Sequence, residues 1–108
     1  MEQDKEKTAV IFRKFKDGDI IAIFPELVGT DNLGTCMSYQ HIGQHGSCDL
    51  GIIYDTKLAT DEEYKDLKDE LEHSIGYNLR VIKKATRKHF KIREAELNRF
   101  KNVNKVSK

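Results

Sequence analysis

The chain has 108 residues, of which 38 % are apolar and 34 % charged, and a formal net charge of +1. That is one domain of common size, with a thin core but enough apolar content to fold. No apolar run approaches the roughly 20 residues of a membrane span, and the charged first residues argue against a secretory leader, so a cytoplasmic protein with no membrane partner is expected.

A flexible start over residues 1–7 is expected, then a single domain over 8–101 and a frayed tail over 102–108. Residues 8–15 and 20–24 are rich in β-branched and aromatic side chains and read as the two strands of a hairpin. Asp17-Gly18 between them predicts a two-residue turn. That turn sets Phe15 opposite Ile20 and Phe12 opposite Ile23. One face then carries Ile11, Phe15, Ile20 and Phe24, and the other Val10, Phe12, Ile21 and Ile23. Both faces are apolar, so cover on both sides is expected, from helices or from a second copy of the chain. A homodimer follows as the expected assembly, because large apolar patches are rarely left open on a monomer.

Pro25 stops the second strand, and residues 29–34 read as a loop. Residues 35–42 read as a third strand and 43–49 as a Gly-rich turn. Residues 50–54 form either a short fourth strand or irregular backbone. Thr60-Asp61-Glu62-Glu63 is a capping box, in which Thr60 and Glu63 satisfy orphan amides reciprocally. Tyr64, Leu67, Leu71 and Ile75 then recur at helical spacing, and Gly76 ends that helix as a left-handed cap. Residues 79–86 read as another strand. Thr86 caps a last helix to about Lys101, with Phe90, Arg93, Leu97 and Phe100 on one side. The order is β-β-β-(β)-α-β-α. The fold class is α+β, a mostly antiparallel sheet of four or five strands with two helices.

The near-zero net charge hides a strong polarity. Residues 1–48 carry −2, residues 49–78 carry −6 and residues 79–108 carry +9. Arg80, Lys83, Lys84, Arg87, Lys88 and Lys91 cluster across the last strand and the start of the last helix. A basic strand–helix corner of this kind can contact phosphates, and nucleic acid is the partner class it suggests. Phe90 is assigned to the core, so base stacking is not expected. The opposing reading is that the acidic helix and the basic segment neutralise each other, within the fold or across a dimer.

The chemically rich stretch is residues 35–49, which holds both cysteines and two of the four histidines. The pattern Cys36-x-x-Tyr39-x-His41-x-Gly43-Gln44-His45-Gly46 is followed by Lys57, Ala59, Thr60, Glu62, Glu63, Tyr64 and Leu67, then by Ile75, Gly76, Tyr77, Leu79, Arg80 and Val81. This arrangement resembles a family of small uncharacterised proteins found in bacteria, their phages and mobile elements. The resemblance spans roughly residues 9–97 and implies no activity. Cys48 lies outside the pattern, and Arg87 stands where family members often carry Pro.

Tyr39 and His41 alternate onto one face of a strand, and His45 follows across Gly43. Two imidazoles and a phenol are suited to acid–base work near neutral pH, and Gly43, Gln44 and Gly46 would line a ligand site there. The plainer reading is a structural turn with Tyr39 in the core. His41, His45 and Cys48 have ligand-like types and spacing, but they match no recognised zinc pattern and lack a Cys-x2-Cys knuckle. Neither a metal nor any cofactor is expected. Cys36 and Cys48 are too few for a disulfide framework and are expected as free thiols. The resulting expectation is a non-catalytic binding domain with weak electrostatic affinity for nucleic acid. The alternative is a small enzyme or ligand pocket at Tyr39, His41 and His45.

Overall fold

The computed structural model describes residues 7–40 and 44–106, with side chains described over 7–40 and 45–99. It is an α+β domain. Strands β1 (Thr8–Lys14), β2 (Ile20–Phe24), β3 (Thr35–Gln40) and β4 (Gln44–Asp49) form an antiparallel meander. A 3-10 helix (Leu50–Asp55) leads into the two-residue strand β5 (Lys57–Leu58). Helix α1 (Asp61–Asp69) continues as a π-helical segment (Glu70–Ile75), then come strand β6 (Leu79–Val81) and helix α2 (Arg87–Val106).

The outer edge of β1 is shared. Its first half pairs in parallel with β6, from Thr8 opposite Leu79 to Val10 opposite Val81. Its second half pairs antiparallel with β5, Arg13 opposite Leu58. This sharing explains why β6 stops at Val81 rather than running through residue 86. Past Val10 the edge is occupied, and the Phe12 carbonyl accepts from the Ala59 amide at 3.0 Å.

The β1–β2 hairpin forms, but one residue out of the expected register. Phe12 lies opposite Ala22, and Lys14 opposite Ile20. The loop has three residues, Lys16-Asp17-Gly18, closed by the Phe15 amide donating to the Asp19 carbonyl at 2.8 Å. Only Gly18 takes a positive φ, +99°. A two-residue type I′ turn needs two such residues, whereas the three-residue loop needs one, and it is the glycine. A slip of one position moves every β2 side chain to the other face. Val10 and Phe12 therefore share a face with Ala22, Phe24 and Tyr39. Ile11 shares the opposite face with Ile21, Ile23 and Cys36.

Both faces are covered within the one chain, which is where the expectation of a second copy began. Leu67 and Leu71 pack on the Phe12–Phe24 face, and Tyr64 stacks on Phe12 with ring centroids 4.2 Å apart. The other face is covered by Leu50, Ile52, Ile53, Ile82 and Ala85. Arg13 ties the 3-10 helix down, donating to the Thr56 hydroxyl at 3.0 Å and to the Ile53 carbonyl at 2.7 Å.

The capping box at Thr60 is present: its hydroxyl accepts from the Glu63 amide at 3.2 Å, and the Glu63 carboxylate accepts from the Thr60 amide at 2.9 Å. Gly76 closes the segment at φ +102°. Helix α2 crosses the end of the sheet where β1 begins and β2 ends. Its buried stripe is His89, Arg93 and Leu97, four residues apart on one face. Phe90 is not in that stripe and is 39 % exposed. The helix runs to Val106, past the expected end at Lys101.

Candidate functional site

Two regions hold the residues singled out from the sequence. The first is the β3–β4 hairpin. Residues 44–49 form a strand rather than a Gly-rich turn, because each pairs with β3, Cys36 opposite Cys48 and Tyr39 opposite His45. The fourth strand thus lies before residue 50, and residues 50–55 form the 3-10 helix, capped by Asp49, whose carboxylate accepts from the Gly51 amide at 2.7 Å.

The Leu50 amide donates to the Gly34 carbonyl at 2.9 Å. Antiparallel pairs alternate between bonded and non-bonded. Counting along the ladder, Cys36–Cys48 is a bonded pair and Tyr39–His45 a non-bonded one, the kind whose side chains stand closer. Accordingly the His45 ring meets Tyr39 edge-on with centroids 4.7 Å apart. Tyr39 is fully buried, and its hydroxyl donates to the Glu70 carboxylate, from the π-helical segment. His45 is exposed, and its Nε2 lies 3.1 Å from the Tyr77 hydroxyl. Tyr77 in turn stacks on Phe24 at 5.0 Å.

Burial pushes the Tyr77 phenol above its ordinary value. Which of the two groups donates in the Tyr77–His45 contact depends on the imidazole tautomer. Among the described residues the site therefore presents the exposed His45 imidazole braced by two tyrosines, one of which is bonded to the Glu70 carboxylate. π-helical turns recur at functional sites, and here the turn supplies Glu70.

His41 and Gly43 lie outside the described residues, as does the side chain of Gln44, so the expected convergence of His41 on His45 falls there too. Gly46 is an exposed strand residue opposite Ser38, with open space where a Cβ would stand. His45 and Cys48 are three apart on one strand and so point to opposite faces. His45 meets Tyr39, whereas Cys48 packs with Cys36 and Ile23, so these two do not converge on one ion. Among the described residues, Asp69, Glu72 and His73 do bring ligand atoms within 4.8 Å of one another. They form an ordinary exposed group, with Glu72 held by Lys68 at 3.0 Å.

The sequence reading missed Glu70 and Tyr77. Glu70 sits one position before Leu71 on a helix that looked regular. Tyr77 follows the Gly76 cap and was noted only as part of the motif.

The second region is the corner between β6 and α2. Arg80, Lys83, Lys84, Arg87, Lys88 and Lys91 are all exposed. Arg80 lies 3.6 Å from the Glu26 carboxylate, and His89 approaches the same oxygen at 3.6 Å. His89 also caps α2, its Nδ1 accepting from the Thr86 amide at 3.0 Å. Among the described residues the other five cations have no ion-pair partner. Within the acidic segment, Glu63 pairs with Lys14 and Glu72 with Lys68. Phe90 lies three residues after Arg87 and three before Arg93, at the border of the buried stripe of α2, and is turned about 100° from Lys91. The Arg93 guanidinium lies 5.3 Å from the centroid of its ring.

No family model, curated protein or solved structure matches the chain. Among the described residues, no helix is long and apolar enough to cross a membrane.

Proposed function

We propose that the protein is a small non-catalytic binding domain whose partner is a polyanion, with nucleic acid as the partner class, engaged through the β6–α2 corner. The observation that carries this reading is the set of cations Lys83, Lys84, Arg87, Lys88 and Lys91, all exposed and, among the described residues, without an ion-pair partner. No ion pair among the described residues joins α1 to this corner, which speaks against internal cancellation of its field. The cluster is mostly lysine, so it offers point charges to phosphates rather than a bidentate reading of base edges. Binding should therefore be weak and indifferent to sequence.

The test is fluorescence anisotropy with labelled single-stranded and duplex DNA. With about four to six phosphate contacts, affinity should fall by roughly two to three powers of ten between about 50 and 200 mM salt. The triple change Lys83→Glu, Lys84→Glu and Lys88→Glu should abolish binding and leave the circular dichroism spectrum unchanged. Absence of binding by the unaltered protein at the lower salt concentration removes the proposal.

A second reading, a small-ligand or catalytic site at Tyr39 and His45, is favoured by one observation, the bracing of the exposed His45 ring by Tyr39 and Tyr77. It predicts that a ligand shifts the His45 ring resonances, whereas oligonucleotide binding at the other corner leaves them in place.

A further inference from the structure

We infer that Cys36 and Cys48 are a reversible cross-strand redox pair, closed to a disulfide by an oxidised low-molecular-weight thiol such as oxidised glutathione. The two residues are direct partners in the β3–β4 ladder and lie on the same face of the sheet. In a bonded antiparallel pair the Cα atoms are about 5.5 Å apart, the separation at which disulfides are most common, roughly 5.5–6 Å. Both side chains stand off the same face, and because a bonded pair holds its Cβ atoms at the wide end of about 4.5–5.5 Å, the strands must draw in slightly to reach the roughly 3.5–4.5 Å of a disulfide. Both cysteines are free thiols.

The two sulfurs are not equivalent. Cys36 is fully buried among Ile11, Ile21 and Ile23, whereas Cys48 is half-buried at the edge strand. The neighbouring Cys36 thiol, and then Ser38 and the Arg93 charge, pull the Cys48 thiol below its ordinary value against the opposing effects of burial and of the Asp49 carboxylate. Cys48 itself and burial push Cys36 up. Cys48 is therefore the sulfur that attacks and Cys36 the one that resolves.

The buried Arg93 bears on the same pair: its guanidinium bonds the carbonyls of Pro25 and Leu33, and its charge favours the thiolate form of both sulfurs.

The chemistry balances. The Cys48 thiolate attacks one sulfur of oxidised glutathione, breaking its S–S bond, forming a Cys48–glutathione bond and releasing one glutathione thiolate. The Cys36 thiolate then attacks the Cys48 sulfur, forming the Cys36–Cys48 bond and releasing the second. The two cysteine protons end on the two released glutathiones, so the protein is oxidised by two electrons and the glutathione disulfide reduced by two. Tyr39 and His45 occupy the opposite face of the same two strands, so the bond would clamp the hairpin that carries them.

The experiment is intact-mass analysis of the full folded chain, equilibrated across a series of reduced-to-oxidised glutathione ratios, acid-quenched, then alkylated under denaturing conditions. The expected result is loss of about 2 Da with no alkylation, reversed by dithiothreitol. In Cys36→Ser the expected product is a stable glutathione adduct of about 305 Da at Cys48. Three outcomes would overturn the inference in the unaltered protein: two alkylated cysteines in fully oxidised glutathione, a persistent adduct that never closes, or a disulfide between two chains.

Discussion

Helix α2 is attached to the sheet chiefly through polar groups, and replacing Arg93 tests how. The guanidinium donates to the carbonyls of Pro25 and Leu33, spanning from one side chain the two ends of the β2–β3 connection. Bonds from a charged donor contribute about 1.5–3 kcal/mol each. Arg93→Met keeps most of the volume and removes a desolvated charge, which offsets part of that loss. It also strips the donors from both carbonyls. Pro25 is buried and Leu33 half-buried, and an orphaned buried acceptor costs about 1–3 kcal/mol. The net expectation is a loss of about 2–4 kcal/mol. For a domain of this size that lowers Tm by roughly 10–25 °C. Arg93→Lys keeps the charge but loses the planar fork, and should fall between Met and the unaltered protein. Urea and thermal unfolding followed by circular dichroism measure all three. If Arg93→Met unfolds within about 0.5 kcal/mol of the unaltered protein, the carbonyl bonds contribute nothing net and the reasoning fails.

Gly18→Ala should cost about 1–2 kcal/mol in urea unfolding, because Gly18 holds φ +99° and a Cβ is strained there. Thr60→Ala breaks the capping box and should cost about 0.5–2 kcal/mol, with the loss read as reduced amide-exchange protection in the first turn of α1. His45→Ala removes an exposed ring with one hydrogen bond and one edge contact, so stability should change by less than about 1 kcal/mol; a loss of several kcal/mol would make the histidine structural. Burial holds the Tyr64 and Tyr77 phenols above their ordinary range. The unfolded chain therefore ionises first as pH rises past about 10. Stability from the neutral phenols is complete below that pH and is lost as pH climbs through the folded values; phenolate absorbance in native and urea-unfolded protein measures the two titrations.

The class of the fold was legible because its strongest signals are local. Thr60 and Glu63 cap whatever helix follows them, and Gly76 ends it, with no help from the rest of the chain. The strand register was not local in the same way. Asp17-Gly18 supports either a two-residue or a three-residue loop, and the choice turns on whether Asp17 also takes a positive φ. Once Gly18 alone takes it, Ile21 and Ile23 move to the face of Ile11, and the two cores exchange half their members. Strand β4 was hidden for a different reason. Gln44, His45, Gly46, Ser47 and Asp49 have low strand propensity, and what makes them a strand is the partner already in place in β3.

The same dependence on distant partners governs both candidate sites. Tyr39 and His45 were visible as types, but Glu70 reaches Tyr39 only because the helix widens into a π turn after Asp69. At the other end of the sheet, the spacing Phe90, Arg93, Leu97 satisfied helical periodicity as well as His89, Arg93, Leu97 does. Apolar periodicity favours the phenylalanine, yet the histidine is buried, because it caps α2 at Thr86 and meets the charge of Glu26. A core that polar groups complete is poorly read by hydrophobic pattern. Here it leaves Phe90, next to the buried His89, half-exposed at the border of the stripe.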